Sequence, residues 1–296
     1  MPMLPTDEFI TIHNLRFHYR RWMSAASGAQ RHPLLLLHGL ASALRIWDLV
    51  APLLAEHGHE VVTLDQRGHG ESAKPNDGYD FATIVRDDAA IVHELGLKRF
   101  GIVGHSWGAS VALEYAATYP DEISALLLVD GASGQLSARS GWSREIAIER
   151  LAPPRFAGTS RAAFVERIKQ GPLGRQWSEQ LEDILLNIVE LRPDNTVAPR
   201  LAFENHLQII GSMWDQPTYE LYSRVHCPIT LIVAEPPVIS EAQVDFFNQR
   251  RAGLEQIQQL RPDINIVHMR DTIHDIPLHR PRELAELIDR ATSSIE

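Results

Sequence analysis

Short runs of apolar residues alternate with amphipathic helical stretches along most of the chain. Two runs near the amino terminus, residues 9–12 and 16–22, are separated by three residues and predict an antiparallel hairpin. The later runs are residues 34–37, 61–64, 100–103, 125–129, 229–233 and 264–268, and the continuous run 34–37 is expected of a strand that a sheet buries on both faces. The helical stretches are residues 51–57, 81–95, 107–119 and 241–260, and a last one that begins at Pro281. This alternation predicts an α/β fold with a mostly parallel eight-stranded sheet flanked by helices.

The alternation of strand and helix stops at Gly131 and resumes after about residue 224. In between, apolar residues recur at helical spacing, and we find no pattern of a buried strand. The clearest helix carries Leu181, Ile184, Leu185, Ile188 and Val189. We therefore predict one core formed by residues 1–131 and 225–296, interrupted by a helical cap formed by residues 132–224.

Charge and composition exclude several kinds of partner. The chain has 28 Lys and Arg against 38 Asp and Glu, a formal net charge of −10, which offers no basic surface for nucleic acid. The amino-terminal residues lack the basic and apolar regions of a signal peptide, and no apolar run approaches the ~20 residues that span a membrane. The single cysteine, Cys227, cannot form a disulfide within the chain. We expect a soluble cytoplasmic protein without nucleic-acid or membrane partners, either a monomer or a homodimer.

Fourteen histidines are many for 296 residues and prompt a search for metal sites. The most suggestive segment is His57-Gly58-His59-Glu60, but it lacks the Asp-His that follows in metallo-hydrolase clusters. Neither an HExxH motif nor paired CxxC motifs occur. We expect no metal and no other cofactor.

The predicted strand at residues 100–103 leads directly into Gly104-His105-Ser106-Trp107-Gly108 and then into a helix. This is a G-x-S-x-G motif in the strand–turn–helix context that a nucleophilic serine requires. The turn is so sharp that bulkier flanking residues would collide with neighbouring backbone. It also presents the serine hydroxyl at a helix N-terminus, where the helix dipole favours a developing negative charge. The motif predicts Ser106 as a nucleophile; the alternative is an incidental serine in a tight turn.

Two further motifs accompany this turn. His38-Gly39-Leu40 follows the third predicted strand, and residues 65–72, with the sequence DQRGHGES, follow the fourth. Together with the serine turn, they resemble the oxyanion loop, the D-x-R-G-H-G-x-S segment and the nucleophile turn of the α/β-hydrolase superfamily. The resemblance covers nearly the whole chain and implies the α/β-hydrolase fold.

This resemblance also implies roles for individual residues. Ser106 would attack the substrate, and the backbone N–H groups of Leu40 and Trp107 would form the oxyanion hole. His38 and His105 would support the loops rather than carry out chemistry.

Members of the superfamily usually carry their catalytic histidine in the loop before the final helix. Residues 271–275 fill that position here, so the resemblance implies His274 as the general base. His268 lies within a predicted strand and His279 lies nearer to the final helix, and both are weaker candidates.

The acid of the triad departs from the usual pattern. Most relatives place an aspartate after the seventh strand in a G-x-x-D turn, but the matching residues here are Ala234-Glu235-Pro236-Pro237. A proline side chain cannot accept a hydrogen bond from imidazole. Asp130, at the end of the sixth predicted strand, resembles the acid of other branches, certain dehalogenases and lactone hydrolases among them. We predict Asp130 as the acid and keep Glu235 as the alternative.

These residues predict a serine hydrolase that cleaves a carboxylic ester or a lactone through an acyl-enzyme intermediate. Haloalkane dehalogenases and epoxide hydrolases resemble the chain overall but attack with an aspartate, so Ser106 argues against both. Carbon–carbon bond hydrolases, proline-type aminopeptidases and non-turnover ligand receptors can share the same triad and stay open as alternatives. An aminopeptidase would also need an acidic site in the lid, for which Glu204 and Glu220 are the candidates.

The predicted cap holds three of the six tryptophans. Pockets for small molecules are lined mainly by apolar groups, so these rings favour an apolar or aromatic small-molecule substrate. The candidate substrate-binding residues are Gly39 of the oxyanion loop and Trp142, Trp177 and Trp214. The alternative is that the rings form the cap's own core.

Overall fold

The computed structural model of the protein describes residues 4–24 and 31–293. Residues 1–3, the beginning of the segment considered for a targeting signal, lie outside that part of the chain. The described strands are β1 Thr6–Ile12, β2 Leu15–Trp22, β3 Leu34–Leu37, β4 Val61–Leu64, β5 Phe100–His105, β6 Ile123–Val129, β7 Thr159–Ser160, β8 Val189–Leu191, β9 Thr196–Pro199, β10 Ile229–Glu235 and β11 Asn265–Arg270. The described α-helices are α1 Ala51–Glu56, α2 Phe81–Glu94, α3 Trp107–Thr118, α4 Arg144–Leu151, α5 Arg161–Lys169, α6 Glu179–Asn187, α7 Phe203–Asp215, α8 Thr218–Arg224, α9 Glu241–Leu260, α10 Ile276–His279 and α11 Pro281–Ser293.

The main sheet has eight strands in the order β1-β2-β4-β3-β5-β6-β10-β11. Strand β2 is antiparallel to both β1 and β4, and the remaining pairs are parallel. The carboxyl ends of β5, β6, β10 and β11 therefore lie along one edge of the sheet. This confirms the predicted mostly parallel eight-stranded sheet with flanking helices, and the loops after these four strands are where side chains can converge.

Helices cover both faces of the sheet, as a parallel sheet requires. All residues of β3, β4, β5 and β6 are buried. One face packs on α2, α3, α8 and α9, and the other packs on α1 and α11. A capping box is present at the start of α9, where the Ser240 N–H donates to Gln243 Oε1 over 3.1 Å. No helix of the described residues is both long and apolar enough to cross a membrane.

Residues 132–224, which we call the insertion, lie between β6 and β10 and contain α4–α8. The prediction that they hold no buried strand is wrong. Strands β7, β9 and β8 form a small antiparallel sheet, in which Val189, Val197 and Ala198 are buried. Helix α6 ends at Asn187, so Val189 belongs to a strand rather than to the predicted helix. These strands are two to four residues long, too short for a period of two to stand out in the sequence.

Candidate active site

Ser106 lies between the end of β5 and the start of α3, with backbone angles of φ 56° and ψ −119°. A positive φ is strained for serine and persists only where the surroundings enforce it. A Cβ atom on Gly104 would lie 2.1 Å from the Gly108 carbonyl oxygen, and one on Gly108 would lie 2.5 Å from the His38 carbonyl oxygen. A Cβ on Gly131 would come within 2.0 Å of the Ser106 carbonyl oxygen. Three glycines thus allow the turn that presents the Ser106 hydroxyl.

His274 lies in the loop between β11 and α10, and its ring faces the serine. The distance from His274 Nε2 to Ser106 Oγ is 2.9 Å, and the distance from His274 Nδ1 to Asp130 Oδ2 is 2.6 Å. The serine hydroxyl therefore donates to Nε2, while Nδ1–H donates to the carboxylate. The fold brings together three residues that lie far apart in the sequence, after β5, β6 and β11.

Asp130 is the buried member of this group, with a side chain that is 7% exposed. Its Oδ1 accepts hydrogen bonds from the Ala234 N–H over 2.9 Å and from Arg250 Nη1 over 3.0 Å. Burial alone would raise the pKa of Asp130. The hydrogen bonds from His274 and Ala234 and the charges of His274 and Arg250 outweigh burial and hold that pKa below its ordinary value. Asp130 is thus kept as a carboxylate.

The pKa of His274 shifts in the opposite direction. Loss of water contact lowers it, but the hydrogen bond and charge of Asp130, with help from Asp275, raise it above its ordinary value overall. Arg250 opposes this rise. The imidazole therefore holds a proton more tightly than a histidine in water, as suits a group that must accept one.

Glu235, the alternative acid, contacts a different histidine. Its Oε1 lies 2.7 Å from His268 Nδ1, and 42% of its side chain is exposed. Glu235 and His268 thus form a surface pair at the ends of β10 and β11, while Asp130 occupies the position beside His274.

Leu40 lies in the loop after β3, and Trp107 directly follows Ser106 in the sequence. Trp107 is the first residue of α3, so its N–H has no partner within the helix. Leu40 follows β3, and its N–H donates to none of the described residues. His38 fixes this loop by donating from Nδ1 to the Gly39 carbonyl oxygen over 2.8 Å. A Cβ on Gly39 would lie 3.1 Å from Ser106 Cβ, so this glycine permits the close approach of loop and nucleophile.

His105 supports the loop that carries His274. It is buried, and its Nε2 donates to the His274 carbonyl oxygen over 2.9 Å. Burial and the neighbouring His274 lower the pKa of His105 to about 4. A neutral ring at this place holds the backbone of His274 without adding a second positive charge.

A cavity of about 1300 Å³ opens beside His274 and Asp130. Its walls come from the insertion, from the loop after β10 with the start of α9, and from the loop after β11. The apolar side chains that line it are those of Ile168, Leu173, Val238, Phe246, Phe247 and Ile273. Most of the surface of this cavity is apolar, and Arg175, Asp275 and Arg280 add charged groups to its lining.

The tryptophans named from the sequence lie outside the described lining of this cavity. Trp142 and Trp214 are partly buried and pack against a small cluster around Ile210, which Leu40 of the oxyanion loop also contacts. Trp177 packs against the core on the α1 side. A role of Trp142 and Trp214 in substrate binding stays a prediction.

Arg250, on α9, is the residue of this site that sequence reasoning missed. Helix α9 carries Arg250 next to Arg251, and the sequence offers no signal that separates them. Only the tertiary structure does so, because the Arg250 side chain is 10% exposed and bonded to Asp130.

The described residues contain no group of three or more side chains that could hold a metal ion. In the histidine-rich segment, His59 is buried, with Nδ1 at 2.9 Å from the His32 carbonyl oxygen and Nε2 at 3.1 Å from Asp289 Oδ1. Both ring nitrogens of His59 are therefore engaged in protein contacts.

Comparisons with known proteins find related enzymes. A soluble epoxide hydrolase from Corynebacterium sp. (strain C12) is 36% identical over 137 residues, which cover 46% of this chain and 46% of that protein. A fluoroacetate dehalogenase from Burkholderia sp. is 37% identical over 108 residues, or 35% of each chain. The chain thus matches less than half of the length of these relatives.

The fold is also similar to that of a solved thioesterase domain from the curacin biosynthetic pathway. The TM-score is 0.74 at 20% identity, covering 96% of this chain and 99% of that one. A family model described as the alpha/beta hydrolase fold matches residues 32–222, a stretch that includes the Ser106 turn, Leu40 and Asp130. With a match over more than half of its length, the chain belongs to the α/β hydrolase fold family.

Proposed function

We propose that the protein is a serine hydrolase that cleaves a carboxylic ester or a lactone through an acyl-enzyme intermediate. The observation that carries this proposal is the chain of hydrogen bonds from Ser106 Oγ through His274 to Asp130, with lengths of 2.9 and 2.6 Å. A nucleophile, a base within hydrogen-bond reach and a group that orients the base are the minimum that acyl transfer by serine requires.

In the acylation step, Ser106 Oγ attacks the substrate carbonyl carbon as His274 Nε2 accepts the hydroxyl proton. Negative charge then develops on the carbonyl oxygen, which the N–H groups of Leu40 and Trp107 stabilise. One such donor is typically worth about 10²–10³ in rate. The carboxylate of Asp130 keeps the proton on Nδ1 and stabilises the imidazolium that forms.

The intermediate collapses when His274 gives its proton to the leaving oxygen. In the deacylation step, His274 removes a proton from water, and the resulting attack releases the acid and restores Ser106. For a lactone, the leaving hydroxyl stays attached to the acyl group, and the product is a single hydroxy acid. No step needs a group beyond these side chains and water.

We further propose that the insertion acts as a cap and that the substrate is an apolar or aromatic small molecule. Residues 168, 170–173 and 175–176 of the insertion line the cavity at His274, together with Phe246 and Phe247 of α9. Pockets of this kind take apolar groups, with a few polar groups to orient the ligand.

Two alternatives receive less support. An aspartate nucleophile of the epoxide-hydrolase or dehalogenase kind is absent at position 106, where serine stands. A proline-type aminopeptidase needs acidic groups near the substrate amine, but Glu204 and Glu220 are exposed and outside the described lining of the cavity. Carbon–carbon bond hydrolysis and ligand binding without turnover share the same triad, and labelling at Ser106 without turnover of any ester or lactone would favour one of these two.

The test combines labelling with turnover. A fluorophosphonate probe should label wild-type protein at Ser106, and a panel of acetate, long-chain and aryl esters and lactones should be hydrolysed. Ser106→Ala should lose both reactions with the same thermal unfolding curve. His268→Gln is the matched control, because His268 lies in β11, the strand before the His274 loop, and pairs with Glu235 rather than with Ser106 or Asp130. Labelling without turnover of any ester or lactone would refute the proposed substrate class, and turnover by Ser106→Ala would refute the mechanism.

A further inference from the structure

Arg250 contacts the acid of the site from the side opposite His274. Its Nη1 donates to Asp130 Oδ1 over 3.0 Å, and its Nη2 donates to the Ala234 carbonyl oxygen over 2.8 Å. The guanidinium carbon lies 4.6 Å from the centre of the Phe247 ring. The side chain thus has three fixed contacts, and only 10% of it is exposed.

These contacts close a ring of hydrogen bonds. The Ala234 N–H donates to Asp130 Oδ1 over 2.9 Å, while the carbonyl of the same residue accepts from Arg250. Asp130 Oδ1 therefore receives two donors whose directions are set by the end of β10 and by a planar guanidinium. With Oδ1 held, the carboxylate cannot rotate, and Oδ2 is directed at His274 Nδ1.

We propose that Arg250 is a positioning residue, which acts through Asp130 to hold the carboxylate in the orientation and charge state that His274 needs. This inference rests on the proposed function, since it assigns to Asp130 the role of orienting the base. A lysine could keep the charge but could not donate to both acceptors in the fixed geometry of a guanidinium.

The positive charge of Arg250 also affects the pKa of His274. The charges of Asp130 and Asp275 raise the pKa of His274, and the charge of Arg250 lowers it. The ring of His105 also faces His274, and it is buried. Arg250 itself is faced by Asp130 and Glu235. Removing the positive charge of Arg250 removes a group that disfavours the imidazolium, so the pKa of His274 rises as long as Asp130 still accepts from Nδ1. Because His274 must be neutral to accept the serine proton, the acidic limb of activity moves to higher pH.

The test compares Arg250→Met, Arg250→Lys and the control Arg251→Met. Arg251 is exposed, lies one residue further along the same helix and bonds only to Asn248 among the contacts described. Arg250→Met should lower kcat by about 10²-fold, the cost of a misplaced catalytic group, and move the acidic limb of kcat/KM to higher pH. Arg250→Lys should lower kcat by about tenfold, while the acidic limb of its kcat/KM profile should lie at the same pH as that of the wild type. Arg251→Met should match the wild type in both.

The titration of His274 can also be followed directly by NMR of protein labelled at histidine, with the resonance assigned from His274→Gln. A folded Arg250→Met protein in which kcat, the His274 titration and the acidic limb all coincide with those of the wild type would overturn the inference. If Arg250→Met does not fold, Arg250→Lys provides the test, and a wild-type kcat for this variant would overturn the inference.

The NMR titration needs no substrate. If the fluorophosphonate does not label the wild-type protein at Ser106, the proposed function is therefore rejected. The His274 titration would still judge Arg250 separately.

Discussion

Replacing Asp130 by asparagine tests the site most severely, because the surroundings dictate how the amide must lie. The Ala234 N–H and Arg250 Nη1 both donate to the position of Oδ1. An asparagine must therefore place its carbonyl oxygen there, since an NH₂ group would face two donors. Its NH₂ group then faces His274 Nδ1, across the contact that is 2.6 Å long in the native protein.

An NH₂ group at this place can only donate, so it favours the tautomer in which Nδ1 is an acceptor and Nε2 carries the proton. A protonated Nε2 cannot accept the proton of Ser106. In serine hydrolases with this triad, the wrong tautomer costs about 10⁴ in kcat, which corresponds to about 5.5 kcal/mol of activation free energy. We expect a loss of this size for Asp130→Asn.

The assay is steady-state hydrolysis of the best ester from the panel, with thermal unfolding recorded for each variant. Glu235→Gln is the control, because it changes a carboxylate to an amide one strand away at an exposed pair, and it should stay within a few-fold of the wild type. Near-native turnover by Asp130→Asn, together with a loss of several orders of magnitude in Glu235→Gln, would show that Glu235 is the acid and that the tautomer argument is wrong.

Three further predictions concern pH, the cavity and the core. The raised pKa of His274 predicts that kcat/KM falls on the acid side through a limb above the ordinary pKa of histidine, and a limb below that value would contradict the cited contacts. Phe246→Ala should lower kcat/KM for aryl esters about tenfold relative to acetate esters, whereas Leu260→Ala, an equally exposed change at the far end of α9, should not alter this ratio. Asp88 is buried with both carboxyl oxygens unpaired among the described residues, and burial with the nearby charge of Asp87 raises its pKa well above the ordinary value. Because the pKa of Asp88 is higher in the folded than in the unfolded protein, stability is lost as pH rises above the unfolded pKa. Asp88→Asn should therefore raise Tm more at pH 8 than at pH 5. An equal Tm shift at both pH values would count against a protonated Asp88.

The nucleophile turn and the histidine loop could be predicted because their signals are local. Ser106 is marked by glycines on both sides, and each glycine is needed for contacts within the same turn. His274 is marked by its distance from Pro281, which starts α11 as predicted. The bounds of β3 and β4 were also readable, since the run of four leucines and the run Val-Val-Thr-Leu match strands with every residue buried.

Contacts between distant parts of the chain could not be read in this way. The sequence alone left Asp130 and Glu235 as rivals, because the decision depends on which carboxylate the loop after β11 meets. Arg250 is one of several charged residues on a 20-residue helix, and only the packing of α9 on the ends of β6 and β10 gives it a partner. The roles of the tryptophans could not be read either, since composition does not tell whether a ring faces a cavity or a neighbouring helix.

The sheet order explains how Asp130, the proposed acid, can reach His274 from the end of β6. Asp130 lies next to Ser106, because β6 neighbours β5, but β10 separates it from the strand that leads to His274. The end of β10 contacts both sides of this gap. Its Ala234 N–H bonds to Asp130, and its Glu235 carbonyl oxygen accepts from the Thr272 N–H over 3.0 Å in the histidine loop. Strand β10, which supplies the acid in most relatives that the sequence resembles, here sets the distance between the acid and the base instead. Pro236 and Pro237 then end the strand without an N–H to compete for the carboxylate.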